Sequence, residues 1–267
     1  ERAFNIIMRG VTLCVRFLFI FFLARYLDPS SVGYYGLFAA TVSYGMYFVG
    51  LDFYTYSTRE VIRAEKGRRG QMLKGQAALA TVLYVAFLPL AILLLRHAGW
   101  PAHLIYWFAP ILLLEYFNQE VYRLLVALSQ QMSATLLLFV RQGSWGLAVV
   151  ALMTWNGESR HLDAVMALWT FSGVVAAALG IMKLKRLRMG GWSLPVDWQW
   201  TRKGIAFSVT FLVATLALRG VQTIDRYWLE VLGGIEVVGA YVLFLGIAGT
   251  LLVFLEAGVF AYIYPEL

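Results

Sequence analysis

Six stretches of bilayer-spanning length run through this chain as mostly apolar sequence, and two more follow with charges set into them. A transmembrane helix needs about 20 predominantly apolar residues. A bilayer offers no water to the backbone, so a spanning segment must pair its own peptide groups, as a helix does. With 61% hydrophobic and only 14% charged residues, the chain is predicted to be an all-α polytopic membrane protein.

The apolar stretches predict about eight transmembrane helices joined by short connections. They are expected at 3–25, 31–55, 72–96, 102–128, 132–154, 162–183, 203–227 and 237–262. The short connections leave no room for a soluble ATPase or catalytic domain, which argues against an ATP-driven pump within this chain.

Basic residues cluster in two of the predicted connections. Arg59, Arg63, Lys66, Arg68, Arg69 and Lys74 follow the second span, and Lys183, Lys185, Arg186, Arg188, Arg202 and Lys203 follow the sixth. Cytoplasmic loops carry an excess of Lys and Arg, so both segments, and the N-terminus with them, are predicted to be cytoplasmic. These basic clusters account for the net charge of +7, so no nucleic-acid partner is expected.

A short internal repeat divides the chain. Val32-Gly33-Tyr34-Tyr35 opens the second span, and Val238-Gly239-Ala240-Tyr241 opens the eighth, 206 residues later. Six spans separate the copies, so both enter the membrane in the same direction, as in a parallel repeat. The expected organisation is a six-helix lobe at 1–183, a cytoplasmic linker at 184–202 that lies along the interface, and the first two helices of a second lobe at 203–267. We expect the second lobe to be truncated.

Arginines within the spans are the strongest functional feature. Arg9 and Arg16 are seven residues apart on the first span, and Arg219 and Arg226 repeat that spacing on the seventh. An unpaired arginine inside a span costs about 2.5–3.5 kcal/mol on insertion scales. We therefore expect Arg16 and Arg219 to face a polar cavity. A cavity richer in arginine than in acid attracts anions, because guanidinium groups match phosphate and carboxylate oxygens.

Paired charges are expected on the fourth and fifth spans. Glu115 and Arg141 both lie near mid-depth and are predicted to face each other, either as a structural ion pair or as part of the cavity. Glu120 and Arg123 have the helical spacing of a pair. Residues nearer to span ends, including Asp52, Glu120, Arg123 and Arg226, have the alternative of extending to the interface.

Aromatic residues have two interpretations. They form interfacial belts and core packing in membrane proteins, and this interpretation is preferred. Along the second span, Tyr34, Tyr35, Tyr44 and Tyr47 also offer stacking surfaces for sugar rings.

Sequence motifs for common chemistries are missing. The chain contains no His-Glu-x-x-His, no Asp-x-Asp metal pair, no phosphate loop and no nucleophile elbow. Cys14 is the single cysteine, which excludes a disulfide within the chain. We expect no enzymatic activity, cofactor or bound metal.

Several stretches carry a family resemblance. They are Ala24-Arg25-Tyr26-Leu27-Asp28-Pro29-Ser30-Ser31-Val32-Gly33-Tyr34-Tyr35-Gly36, Phe48-Val49-Gly50-Leu51-Asp52, Thr58-Arg59-Glu60, Asp225-Arg226-Tyr227-Trp228-Leu229 and Val238-Gly239-Ala240-Tyr241. The chain resembles bacterial polysaccharide exporters of the Wzx/PST type, which belong to the multidrug/oligosaccharidyl-lipid/polysaccharide exporter superfamily.

The resemblance implies two six-helix lobes in a V, a central cationic cavity and alternating access. The implied substrate is a polyprenyl-pyrophosphate-linked oligosaccharide, moved across the bacterial inner membrane for O-antigen, lipopolysaccharide or exopolysaccharide assembly. Expected partners are the bilayer, this substrate, and the polysaccharide polymerase and assembly machinery. A transporter of this kind would have about four more helices than this chain.

A flippase for this substrate is our hypothesis, and it gives individual residues expected roles. Arg16 and Arg219 are expected to hold the pyrophosphate or acidic sugars, and Arg9, Arg141 and Arg226 extend the cationic path. Glu115 is expected to orient Arg141 or to take part in coupling to H⁺ or Na⁺. Asp225 and Glu256 are further candidates for coupling or ion pairing.

Two other functions remain open beside that of a non-transporting scaffold. A cation-coupled multidrug exporter of the same superfamily would favour an acidic cavity for cationic drugs. A membrane-embedded glycan polymerase or ligase would place catalytic residues on a large periplasmic loop. The arginine-rich spans disfavour the first, and the short connections disfavour the second.

Overall fold

The computed structural model describes residues 2–255, which form helices joined by short connections and contain no strand. The helices are α1 (Arg2–Tyr26), α2 (Pro29–Gly50), α3 (Tyr54–Arg63), α4 (Lys66–His97), α5 (Ala102–Ala127), α6 (Gln131–Phe139), α7 (Trp145–Trp155), α8 (Leu162–Arg186), α9 (Trp198–Gly233) and α10 (Ile235–Leu255). A π-helical segment, Val140–Ser144, joins α6 to α7, and a short 3₁₀ turn, Gly157–Ser159, precedes α8.

The all-α polytopic membrane fold is confirmed. Among the described residues, four helical segments are long and apolar enough to cross a bilayer by themselves: Lys66–His97, Gln131–Trp155, Leu162–Arg186 and Trp198–Gly233. Every predicted span falls mainly on a helix, with the π segment continuing the fifth. The count of eight spans, the division into lobes and the side on which the N-terminus lies stay predictions.

The second predicted span, 31–55, is wrong at its end. Helix α2 stops at Gly50 because Leu51 and Asp52 adopt left-handed backbone angles, with φ values of 48° and 51°. The chain then turns into α3, a short helix that the sequence did not predict. The basic connection after the second span is therefore partly helical, and it packs against α4 and α5.

The predicted linker, 184–202, is shorter in the structure, because α8 continues to Arg186 and α9 begins at Trp198. No helix forms between them to lie in an interface. The segment is held on the start of α4 instead. The Gly70 amide donates to the Gly190 carbonyl at 2.7 Å, and the Gly190 amide donates to the Lys66 carbonyl at 2.9 Å. These bonds hold the segment between α8 and α9 against the start of α4.

Helices α2 and α10 cross in very close contact. A Cβ atom built on Gly33 would overlap the carbonyl oxygen of Ile235, and one built on Gly239 would overlap the carbonyl oxygen of Pro29. Small residues let membrane helices approach to backbone contact, where packing replaces the missing hydrophobic drive. The glycines of the repeated Val-Gly-x-Tyr motif therefore form this crossing.

Candidate functional site

A cavity of about 670 Å³ lies between the first helices and the last. Its walls come from α1, α2, α5, α7, α8, α9, α10 and the π segment. The charged and amide side chains in its lining are Arg16, Glu115, Gln119, Arg141, Gln142, Arg219 and Arg226. Four of the five predicted arginines thus share one cavity, whose size is typical of small-molecule sites. The side chain of Arg9 lies outside the described part of the structure.

The Glu115–Arg141 pair is formed in the wall of the cavity. The Nε atom of Arg141 donates to Oε2 of Glu115 at 2.7 Å, and its Nη2 donates to the same oxygen. Trp169 donates its indole N–H to Oε1 of Glu115 at 2.7 Å. Arg141 and Glu115 are only 3% and 8% exposed, and buried charges persist only when paired and hydrogen-bonded.

This arrangement orients Arg141 and leaves it some donor capacity. Its Nη1 donates to Gln119 on α5, which holds the far side of the guanidinium. A guanidinium carries five N–H donors, and the bonds to Glu115 and Gln119 use three of them. The remaining N–H groups of Arg141 belong to a side chain that lines the cavity and are suited to an anionic ligand.

The π-helical segment places Arg141 at this position. A π turn frees a backbone carbonyl from the regular helical ladder, and such turns are frequent at functional sites. Here the Val140 carbonyl accepts from Ser144 at 2.7 Å and also from Ser172 on α8. Both hydroxyls thus satisfy the carbonyl at the distortion.

The arginines of α9 lie opposite Arg16. Arg226 donates from Nη1 to the Gly36 carbonyl at 3.1 Å, which ties α9 to α2. Its Nε is buried and has no acceptor among the residues from 2 to 255. A buried donor without a partner is costly, and an anionic ligand would satisfy it. Arg16 is an exposed residue of α1 and reaches the same space.

The other predicted charges lie elsewhere. Asp225 does not line the cavity: Tyr241 donates to it at 2.5 Å, which links α9 to α10. Glu256 lies outside the described residues. Glu120 pairs with Arg123 at 2.7 Å, as the spacing predicted, and accepts from Gln76 at 2.6 Å.

Asp52 is only 4% exposed, so its side chain does not extend to the interface. The bond from Gln76 likewise holds Glu120 between α4 and α5 rather than letting it extend outward.

Sequence reasoning missed Trp169, Gln119 and Ser172. Trp169 lies in an apolar stretch, and the general interpretation of the aromatic residues as belts and packing did not single it out, although a buried indole N–H needs an acceptor. Gln142-Gly143-Ser144 interrupts an otherwise apolar span, and this polar run was the available indication of the distortion.

Residues 2–267 match the family described as polysaccharide biosynthesis protein. Neither a curated protein nor a solved structure matches the chain. The family match spans the region in which the exporter resemblance was found, and it confirms that resemblance to the Wzx/PST type. The chain therefore belongs to the polysaccharide biosynthesis protein family.

Proposed function

We propose that this protein is a flippase. It moves a polyprenyl-pyrophosphate-linked oligosaccharide from the cytoplasmic to the periplasmic leaflet of the bacterial inner membrane. The observation that carries the proposal is the convergence of arginines from α1, the π segment and α9 on one cavity. Family membership supports a role with polysaccharides. The arginines of the cavity support a ligand that carries an anionic group.

The charge of the cavity favours an anion. Its lining holds four arginines and one glutamate. Glu115 is already paired with Arg141, and among the described residues the lining carries more arginine than carboxylate. Between membrane helices the effective dielectric is low, which strengthens attraction to a pyrophosphate. The same charge would repel the cationic substrates of a multidrug exporter.

The cavity also offers aromatic surface for the sugars. Tyr35, Tyr44 and Tyr47 of α2 line it together with Trp145 and Trp169. Rings of this kind contribute apolar faces as well as hydroxyl or indole N–H groups. We assign pyrophosphate recognition to the arginines and sugar contact to the tyrosines of α2.

Transport by alternating access would use both ends of the chain. Helices α1–α8 correspond to the proposed first lobe, and α9 and α10 begin the second. Arg16 and Arg219 would bind one ligand from the two lobes, so that the lobes move relative to each other as the ligand is taken up and released. A gradient of H⁺ or Na⁺ would drive the cycle, with Glu115 as the candidate that responds to the ion.

The test replaces Arg16 or Arg219 with glutamine in the protein expressed from its natural gene, in host cells that lack their own copy. Arg96→Gln is the matched control, because Arg96 lies in the last turn of α4 and does not line the cavity. Surface glycan is measured together with the amount of protein inserted in the membrane. We expect both cavity variants to lose surface glycan at normal insertion while the control keeps it. Normal glycan in Arg16→Gln and Arg219→Gln would refute the assignment.

A further inference from the structure

A second cavity, of about 630 Å³, lies outside the arginine-lined one and shares no lining residue with it. It is an open cleft between α3, α4, α5, α8 and the segment that follows α8. Most of its wall is apolar, including Leu73, Phe117, Leu124, Ile181 and Leu184. A volume of this size, lined by apolar groups with a few polar ones, is typical of a ligand site.

Two of the three charged side chains of this cleft are basic, and they lie close together in the sequence. Lys185 and Arg188 belong to its lining, at the end of α8 and just beyond it. The one carboxylate in the lining, Glu120, is engaged by Gln76 and Arg123, so it does not neutralise these two cations. The cleft therefore combines an apolar wall with a positive rim.

Trp192 marks the depth of the cleft in the membrane. It lines the cleft, is 48% exposed, and stands in the same segment as the basic residues. Tryptophan is enriched where headgroups meet the hydrocarbon region. We therefore expect the basic rim at headgroup level, with the apolar wall extending toward the bilayer interior along α5 and α8.

We propose that this cleft binds an anionic phospholipid of the surrounding bilayer. One acyl chain lies against Phe117, Leu124 and Leu184, and the phosphate lies on Lys185 and Arg188. Basic pockets between membrane helices bind anionic headgroups through the same combination of charge and apolar surface. A guanidinium beside an ammonium gives the phosphate both a fork of N–H donors and a point charge.

The backbone conformation at Arg188 allows a variant that removes the charge and keeps the turn. Arg188 has φ of 47°, in the left-handed region, at the position after the helix cap where glycine is the usual residue. Arg188→Gly therefore removes the guanidinium and favours the same turn. Arg188→Lys keeps a positive charge there.

The experiment uses the full chain reconstituted in phosphatidylcholine vesicles that contain brominated phosphatidylglycerol. Quenching of Trp192 is taken as the difference between the wild type and Trp192→Phe. We expect brominated phosphatidylglycerol to quench more than brominated phosphatidylcholine at equal mole fraction, and added salt to reduce that preference. Removing one charge, in Arg188→Gly or Lys185→Gln, should weaken the apparent affinity about fivefold.

Two further variants separate the cleft from general surface charge. Arg63→Gln removes a basic residue at the end of α3, outside the lining, and should change nothing. Ala77→Phe fills the cleft from α4 without altering charge and should abolish the preference, whereas Ala86→Phe on the same helix should not.

Equal quenching by the two lipids, or a preference that survives Arg188→Gly with Lys185→Gln, would overturn the proposal. Displacement of phosphatidylglycerol by a smaller amount of polyprenyl phosphate would also overturn it, because the cleft would then serve the isoprenoid chain. Arg16→Gln should leave Trp192 quenching unchanged, so the outcome is independent of the proposed flippase function.

Discussion

The pairs α1–α2 and α9–α10 carry the same motif on different turns. Before α2, Asp28 caps the helix by accepting from the Ser31 amide at 3.0 Å, and Pro29 occupies the first turn. Before α10, Gly234 makes the turn with φ of 83° and no side-chain cap. What the pairs share is the glycine at which α2 and α10 touch. The two copies of the motif therefore share the glycine at the helix contact but differ in the turn that precedes the helix.

The arginines differ between the two pairs in an informative way. An offset of 206 residues places the equivalent of Arg16 at position 222, which is glutamine. Arg219 and Arg226 lie three residues before and four residues after that position, which is the same face of a helix. Both line the cavity, as Arg16 does. The two helices therefore both present arginine to the cavity, but α9 does so from neighbouring positions on the same face rather than from position 222.

The largest expected effect comes from the shared contact. Gly33→Ala and Gly239→Ala each put a Cβ atom into backbone of the opposing helix. Overpacking of this kind costs about 1–3 kcal/mol, and here rigid backbone is the obstacle. Unfolding in denaturing detergent, monitored by circular dichroism, should show a similar loss of stability for both variants.

Gly249→Ala is the matched control on α10, since a Cβ there meets no atom of the described residues within 4 Å. It should be neutral or stabilising, because alanine favours a helix over glycine. If either Gly33→Ala or Gly239→Ala has normal stability, the two motifs do not contribute equally to the contact between α2 and α10.

The sequence predicted only some of the features that these two helix pairs and the cavity show. Hydropathy located the helices, and loop length brought Glu115 to Arg141. The repeat was visible, but nothing in one sequence indicates that its two copies touch each other. The break after Gly50 depends on left-handed conformations at Leu51 and Asp52, and leucine rarely adopts that conformation.

The polar run at 142–144 indicated a distortion but not how its backbone is satisfied. The freed Val140 carbonyl is satisfied in part by Ser172, from a helix 32 residues away in sequence. Cavity residues were predictable where the charge was out of place in a membrane, as for the arginines. They were missed where the side chain suits an apolar helix, as for Trp169.

An intermediate effect is expected on the cavity face of α9. Arg219→Gln should reduce glycan export about tenfold or more, the expected loss for a hydrogen bond to a charged group. Adding Gln222→Arg restores an arginine at the position equivalent to Arg16 and should recover most of the export. Surface glycan normalised to membrane protein is the measurement.

Thr223→Arg in the Arg219→Gln background is the comparison variant, because it lies four residues from position 219 and also lines the cavity. Recovery by both arginines would confirm that the face is the recognised feature. Failure of Gln222→Arg alongside recovery by Thr223→Arg would show that the repeat offset does not define the cavity face.

The smallest expected effect lies at the divergent junction. Asp28→Ala removes the cap of α2 and should cost about 1 kcal/mol, whereas Asp28→Gly, which makes this junction resemble the one at Gly234, should cost only a few tenths. Hydrogen bonds from Ser30 and then Ser31 hold the pKa of Asp28 below its usual value, against a smaller opposing effect of burial. The cap therefore contributes its stability above the unfolded-state pKa of an aspartate and loses it as the pH falls through the lower, folded-state pKa. Stability measured across acidic pH should converge for the wild type and Asp28→Ala, and a difference that persists at the acid end would show that the charge of Asp28 is not what the cap uses.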